Sequence, residues 1–133
     1  MILLDTSVLI EILKDQNKAV SIIEKLPEDD LAISTVTIAE IELGFNFLPS
    51  RGNEEKRKRF LEFLKTSKIR IIPVDIEIAR AYARLQSQLM KKGMPLSRFD
   101  ALIAATSQVT NTTLITLDAD FDRVEGIKVK ILT

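Results

Sequence analysis

The 133 residues are 46% hydrophobic, enough apolar side chain for one compact domain over 1–133 to bury its own core. Lys plus Arg and Asp plus Glu balance at 19 each, which excludes a protein that finds nucleic acid through an overall basic field. Cysteine and histidine are both absent, which excludes disulfide scaffolds, thiolate sites, histidine triads and the commonest nitrogen metal ligand.

Any chemistry must therefore run on carboxylates, hydroxyls, Lys or Arg. The N-terminus lacks the basic-then-apolar pattern of a signal peptide, and no apolar run approaches the roughly 20 residues of a membrane-spanning helix. The expectation is a cytoplasmic protein without membrane contact.

In chain order, the apolar run Ile2–Leu4 predicts a first strand, closed by Asp5. Apolar spacing of three and four residues then predicts helices over Ser7–Lys14 and Lys18–Lys25. Leu31–Ile33 reads as a second strand, followed by a helix over Thr37–Phe47. Residues 48–53, Leu-Pro-Ser-Arg-Gly-Asn, read as a turn before a helix over Glu54–Thr66. A strand at Ile69–Val74 precedes a helix over Ile76–Lys91, which Lys92-Gly93-Met94-Pro95 ends. The last elements are a helix over Ser97–Thr110 and strands at Thr113–Leu117 and Lys128–Leu132. This alternation predicts an α/β domain with a mainly parallel sheet.

Open α/β sheets bind ligands outside the carboxyl ends of their strands, so the acids that follow strands are the first candidates for chemistry. Asp5 and Asp118 are such acids, although each also suits a helix cap or a turn. Glu40 and Asp100 fall inside helical patterns. Val36, Leu43, Gly44 and Phe47 share the face of Glu40, which makes it the inward acid, whereas Glu42 shares its face with Thr35, Ala39 and Asn46 and reads as solvated. Thr37-x-x-Glu40 and Ser97-x-x-Asp100 also fit capping boxes, and both readings stay open. Carboxylates about 4 Å apart repel by roughly 4 kcal/mol at an effective dielectric of 20, so an acid cluster needs a cation or must protonate. An oxygen-only site suits Mg²⁺ or Mn²⁺ better than Zn²⁺.

Four segments occur in order along the whole chain. They are Ile2-Leu3-Leu4-Asp5-Thr6-Ser7-Val8-Leu9-Ile10; Thr37-Ile38-Ala39-Glu40 with Gly44; Phe99-Asp100-Ala101-Leu102-Ile103-Ala104-Ala105; and Leu114-Ile115-Thr116-Leu117-Asp118 with Asp120-Phe121. Together they resemble PIN domains, especially VapC toxins. The resemblance implies a Rossmann-like α/β/α sandwich in which Asp5, Glu40, Asp100 and Asp118 meet and bind one or two Mg²⁺ or Mn²⁺ ions. Asp120 competes with Asp118 for the fourth position, and Thr6, Ser7 and Thr116 match supporting hydroxyls. It also implies hydrolysis of RNA to a 5′-phosphate and a 3′-hydroxyl, with water activated by the metal rather than by a protein base. A homodimer and a VapB-like antitoxin partner follow from the same resemblance, with the Glu54–Thr66 helix as part of the antitoxin groove.

Basic residues that could contact RNA phosphates are Arg51, Lys56 and Arg57, or they are the solvated end of an amphipathic helix. Arg98, two positions from Asp100, either holds a phosphate or pairs with an acid. Three other functions compete. A phospho-accepting receiver domain would need an Asp after its third strand and an acidic pair, and Asp75 lacks that pair. A housekeeping nuclease of stable RNA precursors would share the fold, and a non-cleaving RNA- or protein-binding scaffold would not need all four acids.

Overall fold

The computed structural model describes residues 1–27, 29–47 and 51–132, without the side chains of Gln16 and Arg51. Five strands are joined by helices in the order β1 (Ile2–Leu4), α1 (Thr6–Lys14), α2 (Gln16–Lys25), β2 (Leu31–Ser34), α3 (Thr35–Phe47), α4 (Arg51–Thr66), β3 (Arg70–Ile72), α5 (Ile76–Lys91), α6 (Arg98–Thr110), β4 (Thr113–Thr116) and β5 (Lys128–Ile131). A short 3-10 helix, Ala119–Arg123, links the last two strands. The sequence pattern does not anticipate it.

Helices α1 to α4 start one to three residues earlier than apolar spacing suggests, whereas α5 starts at the expected Ile76 and α6 one residue later than expected; polar residues open α2 and α3 early. Asp15 accepts from the backbone N–H of Asn17 to open α2, and Ser34 Oγ accepts from that of Val36 at the start of α3. Helix α4 likewise includes residues 51–53, expected as turn, while 48–50 and the Arg51 side chain lie outside the described residues. At the other end of α6, Asn111 takes the left-handed conformation (φ 52°) that stops the helix two residues before β4.

All strand pairings are parallel, in the order β3-β2-β1-β4-β5. The alternation of side chains across the sheet divides the core in two. Leu3, Ala32, Ile72 and Leu114 pack with α5 and α6, whereas Ile2, Leu4, Ile33 and Ile115 pack with Val8 and Leu9 of α1 and Phe60 of α4. The result is the expected three-layer α/β/α sandwich.

This strand order fixes where a site can form. From β1 the chain winds outward through β2 and β3, then crosses back to β4 and winds the other way to β5. The carboxyl ends of β1 and β4 therefore flank the switch point where α/β sheets leave a crevice.

Candidate active site

Asp5 is the first residue after β1, and it is 3% exposed. Its backbone N–H donates to the Ile115 carbonyl at 2.9 Å, fixing it against β4. Its Oδ2 accepts from Ser7 Oγ at 2.7 Å and from Thr116 Oγ1 at 2.8 Å. Its Oδ1 is buried without a hydrogen-bond partner. A buried carboxylate oxygen with no donor is costly, so the geometry asks for a positive group there.

Ser7 and Thr116 serve more than Asp5. Ser7 Oγ accepts from the Leu117 N–H at 3.2 Å, and Thr116 Oγ1 accepts from the Asp118 N–H at 3.0 Å. Each hydroxyl thus donates to Asp5 while holding the backbone after β4. The two supporting hydroxyls tie the first acid to the segment that carries the fourth.

Glu40 projects from α3 toward α1, where its Oε1 accepts from Thr6 Oγ1 at 2.8 Å. Thr6 Oγ1 also lies 3.0 Å from Thr37 Oγ1. Because Thr6 has one hydroxyl proton and gives it to Glu40, the Thr37 hydroxyl donates to Thr6. Thr37 is fully buried. Helix α3 begins at Thr35, so Thr37 lies inside it rather than at its cap, and the capping-box reading of Thr37 and Glu40 is corrected. The apolar stripe that pointed to Glu40 is corrected too, since Leu43 and Phe47 are 60% and 76% exposed. Only the first turns of α3 lie on the sheet, through Val36, Thr37 and Ile41. Glu42, expected to be solvated, reaches Arg57 Nε at 3.6 Å.

Asp100 sits half-buried in the first turn of α6, whose cap is Ser97: its Oγ accepts from the Asp100 N–H at 3.2 Å. Burial raises the pKa of Asp100 above the ordinary carboxylate value, with further increments from the charges of Asp5, Asp118 and Asp120, against a lowering hydrogen bond from Ser97. Burial likewise raises that of Glu40, opposed by Thr6 and reinforced by Asp100 and Asp5. Hydrogen bonds through Thr116 and Thr6 tie the Asp118 backbone to Asp5 and the Glu40 carboxylate to the residue after Asp5, and Asp100 feels the Asp5 and Asp118 charges.

Asp118 and Asp120 differ in what they do. Asp118 Oδ1 accepts from the Asp120 N–H at 2.9 Å, opening the 3-10 helix. Asp120 is exposed and pairs with Arg123 Nη2 at 3.1 Å. Asp118 is the half-buried member of the two and the one tied to Thr116.

Among the described residues, no three acidic side chains stand around one point at ligating distance. Burial is the first cause of the raised Glu40 and Asp100 carboxyls, and the neighbouring carboxylates add to it. The donor set still fits a hard divalent cation, because it is all oxygen and includes the unpartnered Asp5 Oδ1.

Of the basic residues, Arg98 is exposed beside the crevice and makes no ion pair with a described acid. Arg57 is engaged with Glu42. Lys56 lines an apolar groove formed by Ile10, Leu13, Ile41 and Phe45, which Glu40 also borders. Thr37, which the sequence offered only as a cap, instead supports Glu40 through the Thr6 hydroxyl.

The family model for the PIN domain matches residues 2–127. The chain is 34% identical to the toxin FitB of Neisseria gonorrhoeae over 125 residues, covering 89% of this chain and 88% of that protein. It is 31% identical to ribonuclease VapC1 of Methanocaldococcus jannaschii over 131 residues, covering 98% and 85%. Among solved structures, VapBC-5 from Mycobacterium tuberculosis, a member of the VapBC family of toxin–antitoxin systems, superposes with a TM-score of 0.74 at 31% identity, covering 98% and 95%. The chain belongs to the PIN-domain family, within its VapC-type ribonucleases.

Proposed function

We propose that this chain is the toxin of a type II toxin–antitoxin pair and hydrolyses RNA phosphodiester bonds at the crevice between β1 and β4, with Mg²⁺ or Mn²⁺ as its ion. The observation that carries the reading is the buried, partnerless Asp5 Oδ1, whose carboxylate charge adds to the raising of the half-buried Glu40 and Asp100 carboxyls. Divalent-metal dependence is general to the family. When bound, such an ion neutralises phosphoryl charge and brings the pKa of water toward neutrality.

The chain's own residues divide the remaining work. Asp5, Asp100 and Asp118 are the ligands that the crevice offers first, and Glu40 completes the acid set from α3. Ser7 and Thr116 fix the Asp5 carboxylate through Oδ2 and leave Oδ1 without a donor. Thr37 and Thr6 form a relay that holds Glu40 in place. Arg98, unpaired at the rim, is placed to meet a phosphate.

The resemblance to FitB and to VapBC-5 supports a cognate VapB-like antitoxin as partner, and a homodimer is part of the same proposal. The groove between α1, α3 and α4 is the candidate seat of the antitoxin. Among the described residues no helix is long and apolar enough to cross a membrane, in keeping with the proposed cytoplasmic site of action.

The test is cleavage of a labelled structured RNA, and of total cellular RNA, in Mn²⁺, Mg²⁺ or EDTA by the parent and Asp100→Asn. Metal-dependent cleavage that disappears in the variant is expected. Failure of the pure, metal-loaded parent on both RNAs would sink the nuclease reading.

A further inference from the structure

A second polar pocket lies outside the acid crevice, between α5, the end of α6 and the segment after the 3-10 helix. It encloses about 220 Å³. That is room for a phosphate and its sugar but less than the roughly 300–1,000 Å³ of pockets that take drug-sized ligands. Three cations line it, Arg84 from α5, Lys92 just past the end of α5 and Arg123 from the 3-10 helix, together with the amides of Gln88 and Gln108. Glu125 is its acid and lies 3.6 Å from Lys92.

The cations are not neutralised in proportion. Arg84 makes no ion pair with a described acid, so the pocket keeps an excess of positive charge after Lys92 meets Glu125. Arg123 is held from two sides, by the Pro95 carbonyl at 3.1 Å and by Asp120 Oδ1 at 3.1 Å. Two fixed bonds to one guanidinium pre-organise its remaining N–H groups. Asp120 also donates its backbone N–H to Asp118 Oδ1, so the Arg123 of the pocket is joined through one residue to the segment that carries Asp118.

An acid cluster alone repels the polyanion it would cut. A substrate strand needs cations beside the crevice, and the balanced net charge supplies no general field to provide them. Arg98 is a lone cation at the rim, whereas the α5–α6 pocket offers a group of three. We infer that the Arg84–Lys92–Arg123 pocket is a phosphate-binding subsite that seats the backbone of the RNA strand one or more nucleotides away from the bond at the acid crevice. The inference rests on the ribonuclease reading.

The test is binding, in EDTA, of a labelled single-stranded RNA of about 12 nucleotides, a length suited to a backbone-tracking groove. The parent is compared with Arg84→Gln/Lys92→Gln and with Lys18→Gln/Lys65→Gln, which removes the same charge from the opposite face of the sheet. Thermal melts confirm that each exposed-residue variant is folded. In the pocket variant, affinity is expected to fall about tenfold at low salt. Its salt slope should become shallower by about 1.4, given roughly 0.7 per single-strand phosphate contact. The opposite-face variant should stay within about twofold of the parent.

Equal losses in both pairs, or none in the pocket pair, overturn the inference. Inorganic phosphate is tried in parallel at matched ionic strength. If it protects the parent against melting as strongly as the RNA does, and the pocket variant loses that protection, the pocket is a free-phosphate site and the strand reading falls. The two hypotheses also separate cleanly. Pocket-dependent binding without metal-dependent cleavage would overturn the nuclease reading alone, and Asp100-dependent cleavage with unaltered binding by the pocket variant would overturn the subsite alone.

Discussion

Thr116 Oγ1 donates a 2.8 Å hydrogen bond to Asp5 Oδ2 across the seam between β4 and β1, joining the ends of the two strands where the sheet reverses its winding. Both residues are buried, and the same hydroxyl accepts from the Asp118 N–H. Thr116→Val keeps the shape but removes a donor to a buried carboxylate. It should destabilise the fold by about 1–3 kcal/mol, the usual cost of an abandoned buried polar partner. Thr116→Ser should restore most of that loss. Urea unfolding of the three proteins checks this, and a Thr116→Val protein as stable as the parent would mean that the bond contributes nothing.

The acids give a pH prediction. The Glu40 and Asp100 carboxyls are raised by burial first and by neighbouring carboxylates next. A folded-state pKa above the unfolded value means that the folded protein holds these protons more tightly. The stability they contribute is complete below the ordinary carboxylate pKa of about 4 and is lost as pH rises through the raised values. In EDTA, the parent should therefore lose melting temperature between mildly acid and neutral pH relative to Glu40→Gln and Asp100→Asn, both of which should show flatter profiles. Thermal melts across that range decide it; three parallel profiles would remove the electrostatic account of the crevice.

What was legible in the sequence follows from where each acid sits. Asp5 and Asp118 end strands, and strand ends in an alternating β/α chain point to one edge of the sheet, so their neighbourhood could be read without coordinates. The helices were legible in number and order because their apolar spacing is sustained. The aim of Glu40 was not legible from its helix face. Its neighbours Leu43 and Phe47 are apolar but exposed, and apolar periodicity cannot tell a face that packs on the sheet from one left in solvent. The signal lay instead in Thr37, whose hydroxyl is buried beneath Glu40 through Thr6. Ser97 and Asp100 illustrate a different limit. The capping reading is fulfilled, since Ser97 caps α6 through the Asp100 N–H, and it leaves the half-buried Asp100 carboxyl free to feel the charges of Asp5, Asp118 and Asp120.

A divalent ion that binds only the folded protein should stabilise it, by about 2.7 kcal/mol at one hundred times its dissociation constant. The four acids make this prediction specific. Millimolar Mg²⁺ or Mn²⁺ should raise the parent's melting temperature, more at neutral than at acid pH because protons compete for the same carboxylates. Asp5→Asn and Asp100→Asn should each lose most of the shift. An undiminished metal response in both variants would place the ion elsewhere.

Asp118 and Asp120 make the sharpest comparison, because they are two residues apart and have different partners. Asp120 is an exposed member of an i,i+3 pair with Arg123, so Asp120→Asn should cost a few tenths of a kcal/mol. Asp118 is half-buried, receives the Asp120 N–H and follows the residue held by Ser7. Asp118→Asn keeps an oxygen for that turn but removes the charge from the crevice. It should abolish the metal-induced melting shift and reduce RNA cleavage at least a hundredfold, about 2.7 kcal/mol of transition-state stabilisation. Asp120→Asn should keep the metal shift and retain cleavage within about tenfold, roughly 1.4 kcal/mol. Melting with and without Mn²⁺, run beside initial cleavage rates on one RNA, measures both. The reverse pattern, with Asp120→Asn inactive and Asp118→Asn active, would move the fourth acid to Asp120 and require the Asp120–Arg123 pair to open when the ion binds.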